Sequence, residues 1–130
     1  MSTKPRPTEL RLHQKSRVLE IGFEDGARFL LPYEYLRVYS PSAEVRGHTP
    51  GTWKLQLGKE NVGITDIQPV GSYAVKIFFD DGHHTGLYDW GYLHNLGRKR
   101  TQLWELYLER LAQAGEKREG PDPFAGLGSA

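Results

Sequence analysis

The chain has 130 residues, 17 of them Lys or Arg against 16 Asp or Glu, giving a formal net charge of +1, and it contains no cysteine. This length predicts one domain, and the near-neutral balance gives no general attraction to nucleic acid or membrane. The missing thiols exclude disulfides, thiolate zinc sites, iron–sulfur ligation and a cysteine nucleophile.

Residues 1–7 hold two prolines and two basic residues and read as a flexible N-terminal tail. The folded part is expected over 8–114. Leu10 and Leu12 alternate with charged neighbours, as in a half-buried strand. Val18 to Phe23 follows as a second strand, and Asp25-Gly26 marks a hairpin turn before a return strand over Ala27 to Leu31. Pro32 suits the start of a short helix over Tyr33 to Val38.

A second unit begins near Lys59. Val62, Ile64 and Ile67 mark a strand. Tyr73 to Phe79 is the strongest strand in the chain, rich in β-branched and aromatic residues. Asp81-Gly82 predicts another turn, and His84 to Tyr88 the return. Asp89 can cap a short helix through Leu96, with Gly97 as its stop. Ser16, Ile21, Phe23, Asp25, Gly26 and Leu31 recur 56 residues later as Ser72, Ile77, Phe79, Asp81, Gly82 and Leu87. Tyr35-Leu36 recurs as Tyr92-Leu93. Either a duplication or the shared chemistry of Asp-Gly hairpins accounts for this, and both predict the same local structure twice.

A last helix is expected over Thr101 to Ala114, capped by Thr101 and ended by Gly115. Leu103, Trp104, Tyr107, Leu108 and Leu111 form its apolar stripe, expected to pack across a sheet. Residues 115–130, GEKREGPDPFAGLGSA, have little to bury and read as a flexible C-terminal tail. The fold class is therefore α+β: antiparallel β hairpins or a sheet, short helices and a C-terminal amphipathic helix.

The densest titratable cluster is Asp80-Asp81-Gly82-His83-His84. Two carboxylates and two imidazoles suit a divalent ion. Adjacent strand residues point to opposite faces, however, so His83 and His84 do not readily share one ion. The expectation is a polar hairpin tip without metal, with iron or zinc on His83 or His84 as the alternative. The His residues at 13, 48, 83, 84 and 94 form no catalytic pattern, and no nucleophile-elbow, zincin or phosphate-loop motif occurs. Ser40 and Ser42 flank Pro41 in a turn-like stretch and look structural. No enzyme activity is expected. Arg98-Lys99-Arg100 is the only tight basic run; with Arg37, Arg46 and Lys54 it makes a weak case for RNA, and nucleic acid is not the expected partner. No apolar run is long enough to span a bilayer, and MSTKPRPTEL lacks the apolar stretch of a signal peptide, so the cytoplasm is expected, with no membrane association.

Two stretches then become familiar: Leu36-Arg37-Val38-Tyr39-Ser40-Pro41-Ser42-Ala43-Glu44-Val45-Arg46-Gly47-His48, and Val70-Gly71-Ser72-Tyr73-Ala74-Val75 followed by Asp81-Gly82-His83-His84-Thr85-Gly86-Leu87-Tyr88-Asp89-Trp90 and Tyr92-Leu93. Together they resemble the DUF971 family, the gamma-butyrobetaine hydroxylase-like N-terminal domain, over about residues 8–98, in its stand-alone bacterial form. The resemblance implies an accessory module without the oxygenase domain that follows it in the hydroxylases. It also implies an inherited zinc position with three Cys and one His, which fall here on Ser40, Ser42, Val45 and His83. Three of those four are poor zinc ligands, so the site is expected to be dead. The same domain occurs fused to, or encoded near, iron–sulfur assembly ATPases. The resulting expectation is a non-enzymatic binding or adaptor domain. Its partner is a protein, by association from the iron–sulfur assembly machinery, and its binding residues are Arg37, Asp81, His83, His84, Tyr88 and Trp90.

Overall fold

Strands β1 (Pro7–His13), β2 (Val18–Phe23) and β3 (Arg28–Pro32) form one antiparallel sheet in the order β1-β2-β3 in the computed structural model, which describes residues 5–46 and 53–127. Gly26 sits at φ +87°, a conformation that costs glycine little and other residues much. Asp25 Oδ1 accepts the Ala27 amide at 2.9 Å, closing the turn. Helix α1 (Tyr33–Val38) follows directly, with Pro32 as the residue before its first turn. A short helix α2 (Ala43–Arg46), which the sequence did not suggest, comes next. Strands β4 (Ile64–Val70), β5 (Ala74–Phe79) and β6 (Leu87–Asp89) form a second antiparallel sheet, followed by α3 (Trp90–Arg98) and α4 (Arg100–Gln113). The mixture is α+β, as expected, but the strands divide into two sheets of three.

The two units repeat one another in hydrogen bonding as well as in sequence. Register shifts fall at Pro7/Glu9 in β1 and Ile64/Asp66 in β4, which are 57 residues apart. The Phe23 amide donates to Ala27 O, and the Phe79 amide to His83 O. The Tyr35 hydroxyl donates to Leu96 O at the end of the other unit's helix; the Tyr92 hydroxyl returns the contact to Tyr39 O. Asp25 meets the His94 ring at 2.9 Å, while Asp81 meets Arg37 at 2.8 Å. Each unit's helix thus grips the hairpin tip of the other. One core runs between them, built from Leu19, Ile21, Leu31, Leu36, Ile77 and Leu93 and closed by Trp104, Tyr107 and Leu111 of α4.

Several expected boundaries move. The return strand β6 is Leu87–Asp89 rather than His84 to Tyr88. Asp89 does cap α3, its carboxylate accepting the Tyr92 amide at 2.7 Å, but Gly97 does not end the helix. Gly97 lies within α3, where a Cβ would fall 2.3 Å from Phe29 Cγ; the residue is small because β3 presses against it. Helix α4 begins at Arg100 with no side-chain cap, so Thr101 is inside it, and only Lys99 separates it from α3. Gly115, at φ +71°, terminates α4 as expected. Of the α4 stripe, Trp104, Tyr107 and Leu111 are buried while Leu108 is exposed.

The segment after α4 buries more than its composition suggested. Arg118 makes a bidentate pair with Glu34 (2.9 and 2.6 Å), whose residue is only 3% exposed, and its guanidinium also lies over the Trp104 ring. Phe124 packs edge-on against Tyr35 and Trp104.

Candidate functional site

Where α1 ends, the chain turns through Ser40-Pro41-Ser42 beneath the loop of the second hairpin. Ser40 is wholly buried, and its Oγ lies 2.8 Å from His83 Nε2. Ser42 Oγ accepts the Glu44 amide at 3.1 Å, capping α2, and shares a hydrogen bond with Thr85 Oγ1 at 2.6 Å. Val45 is buried beside them. The fold therefore brings together Ser40, Ser42, Val45 and His83, the four positions to which the resemblance assigns the family's metal ligands, although they come from two segments more than 35 residues apart.

Above this nest lies a charged layer. Arg37 is buried; its Nε donates to Asp81 Oδ2 at 2.8 Å and its Nη1 to Gln56 Oε1 at 3.0 Å. Lys59 Nζ reaches the same Asp81 oxygen at 2.7 Å, and Asp81 Oδ1 accepts the His83 amide at 3.1 Å. Burial alone would raise the Asp81 carboxyl, but Lys59, the His83 amide and Arg37 together outweigh it and hold the group at about 2. Burial, reinforced by the Arg37 charge, lowers the His83 imidazole below its ordinary value despite Glu44 and Asp81 nearby.

A zinc ion does not fit this donor set. Val45 offers no donor, the two serines offer neutral hydroxyls in place of thiolates, and Ser40 and His83 already satisfy each other. Among the described residues no three His, Asp or Glu side chains gather closely enough to hold a metal. Ser40, His83 and Glu44 supply the residue types of a hydrolytic triad but not its access. His83 Nδ1 stands 3.4 Å from Glu44 Oε2, Ser40 has no solvent exposure, and a Cβ on Gly86 would lie 2.4 Å from the Ser40 oxygen. No room remains for a substrate carbonyl.

Ser40 corresponds, 57 residues along, to Gly97, and Thr85 corresponds, 56 residues back, to Phe29. At that other contact between the units, Phe29 of the first packs on Gly97 of the second. The second hairpin carries polar groups at the equivalent position.

The structure therefore brings Arg37, Asp81 and His83 together, with Tyr88 packed beneath them against Ser40, and sets His84 and Trp90 apart. Tyr88 is fully buried with its hydroxyl donating to Leu36 O at 2.6 Å, and burial pushes its phenol well above the usual range. His84 is exposed and stacks on Phe78. Trp90 points its Nε1 at Ser72 O, 2.9 Å away. Buried Glu34 and its partner Arg118 escaped sequence reasoning because 84 residues separate them and neither lies in a motif. His48 lies outside the described residues.

No curated protein matches this chain. Several solved structures resemble it. A protein whose solution structure was determined by NMR is 51% identical over 96% of each chain, with a TM-score of 0.79. A second NMR structure is 43% identical, covers 92% of this chain and 94% of its own, and has a TM-score of 0.78. A crystal structure from Acidithiobacillus ferrooxidans, described as a protein of unknown function in the DUF971 family, is 39% identical over 71% of this chain and 92% of its own, with a TM-score of 0.60. The family model for "Gamma-butyrobetaine hydroxylase-like, N-terminal" matches residues 10–94, the stretch that holds both hairpins, the Ser40–His83 nest and most of α3, and the chain belongs to that family.

Proposed function

We propose that the chain is a non-enzymatic adaptor that binds a protein partner through the outer side of its second hairpin. The observation that carries this reading is the exposure of Tyr73 (56%) and Leu87 (44%) on that hairpin. Both flank a framework whose reactive groups are turned inward and bonded to one another. Tyr73 O accepts the Trp90 amide, and Tyr73 and Trp90 border the same shallow hollow. Large side chains on a rigid support are the usual energetic centre of a protein interface. In this reading Asp81, His83 and Tyr88 shape the surface from beneath, and His84 and Trp90 border it. The resemblance alone, through the iron–sulfur assembly ATPases that accompany the domain elsewhere, points to that machinery as the partner.

The test is affinity capture with the wild-type chain and with Tyr73→Asp and Leu87→Asp, each checked to melt like wild type. A partner held by the wild type and lost by both variants supports the reading, and its identity tests the iron–sulfur association. Retention of the same proteins by all three chains rejects it.

A further inference from the structure

Residues of α3 and α4, with Tyr39 and Trp53, form a pocket of about 400 Å³, within the range of small-molecule sites. Tyr39, Trp53 and Tyr92 wall it, and Leu96, Leu103 and Leu106 line the remainder. Both tyrosine hydroxyls are committed elsewhere, Tyr39 donating to Leu103 O at 2.6 Å and Tyr92 to Tyr39 O. The rings therefore present carbon to the cavity. Leu106 is 46% exposed beside it.

The polar side chains that line this pocket are the neutral Asn95 and the cationic Arg110. Arg110 lines it and donates one Nη to Trp53 O, but among the described residues no carboxylate pairs with it. Arg46 stacks on two of the walls, its guanidinium carbon 5.0 Å from the Trp53 ring centre and 4.9 Å from that of Tyr92, and its Nε is buried without a hydrogen-bond partner. An uncompensated buried guanidinium nitrogen is costly unless something supplies an acceptor.

Elsewhere in the molecule the same residue types hold an aromatic ring: Phe124 lies 5.3 Å from the Tyr35 ring and 5.5 Å from Trp104, with the Arg100 guanidinium 5.4 Å from its ring centre. At the pocket, Tyr39 lies edge-on to Trp53 and Tyr88 tilts against Tyr92, and the cavity opens beside these rings.

We propose that this pocket binds a small aromatic carboxylate, its ring between Trp53, Tyr92 and Leu106 and its carboxylate on Arg110 and Arg46. The flat apolar walls select the ring, and the two guanidiniums select the charge.

The experiment is a titration of the whole chain with 3-phenylpropionate, its neutral amide and 3-cyclohexylpropionate, read from amide and indole shifts in two-dimensional NMR. The acid is expected to move the Trp53 indole and the Leu106 and Arg110 amides saturably. The amide is expected to bind about 10-fold or more weakly, because a charge-assisted hydrogen bond is lost, and the saturated ring more weakly than phenyl. Arg110→Gln, which can still donate to Trp53 O, is expected to remove the preference for acid over amide. Leu106→Trp, at a half-exposed position, is expected to fill the pocket and abolish binding without lowering the melting temperature. Equal binding of acid and amide, shifts confined to other surfaces, or no saturable shift at all overturns the proposal. None of these outcomes depends on Tyr73 or Leu87, so the adaptor reading is judged separately.

Discussion

Arg37 and Asp81, 44 residues apart, meet at 2.8 Å across the interface between the two units, and the equivalent residues His94 and Asp25 meet at 2.9 Å on the opposite side. The molecule is locked by a reciprocal pair of helix-to-hairpin contacts, but the two are not equal. Arg37 is buried and shares Asp81 with Lys59, while Asp25 is a half-exposed carboxylate facing a single imidazole. Stability is expected to depend far more on the first.

Asp81→Asn is expected to lower stability by about 1–2 kcal/mol at pH 7, allowing for partial solvent screening of a side chain that is 23% exposed. The folded carboxyl titrates at about 2, below its ordinary 3.8. Its contribution is therefore complete above pH 4 or so and is lost as pH falls towards 2. Urea unfolding of both chains from pH 2 to 7 checks this, since the difference between them should shrink in that acid range.

His83 is expected to be neutral at pH 7 and to titrate below its ordinary value of 6.5. Because the folded value is the lower one, the stability this ring contributes is full above about pH 6.5 and declines as pH falls through the folded pKa. An NMR titration of the imidazole reports the shift directly. Ser40→Ala should leave the buried Nε2 without its 2.8 Å partner and cost about 1–3 kcal/mol.

Wild-type chain is expected to show no rise in melting temperature on adding zinc, because its site lacks thiolates. The triple substitution Ser40→Cys, Ser42→Cys, Val45→Cys, beside the existing His83, should create a zinc-dependent rise. Metal analysis together with thermal melts of both proteins decides the matter.

Gly97→Ala should destabilise by about 2 kcal/mol despite alanine's better helix propensity, since its Cβ would meet Phe29 Cγ at 2.3 Å. Phe29→Ala in the same chain should recover part of that loss. A double-mutant cycle giving purely additive effects would show that the two residues do not touch.

Arg118→Ala strands the buried Glu34 carboxylate, whose burial already raises its pKa against the pull of Arg118. The expected cost is about 3 kcal/mol at pH 7, reduced when Glu34→Gln is added. Chemical denaturation of the two variants and their combination measures it.

The hairpins were legible because their signals are local. Asp25-Gly26 and Asp81-Gly82 place a carboxylate where it accepts the amide two residues on and a glycine where φ is positive. The short helix Tyr33 to Val38 was read at its true bounds for the same reason, since Pro32 sets its entry. Gly97 misled because a glycine near a helix end looks like a stop, whereas its smallness serves a contact with β3 that lies 68 residues back in the chain. The C-terminal segment misled because its few burying residues, Arg118 and Phe124, are scattered among turn formers.

The zero count of cysteine and the Asp-Gly repeat were determined by sequence alone, and they specified two like hairpin units and excluded thiolate chemistry. Only the tertiary structure decided that Ser40 faces His83, that Arg37 faces Asp81, and that Phe29 of the first unit packs on Gly97 of the second. Turn and helix preferences act over a few residues and leave a periodic trace in the chain. Pairing between the units depends on which faces the two sheets and α4 bury together, and that is set by packing across a core to which every element contributes.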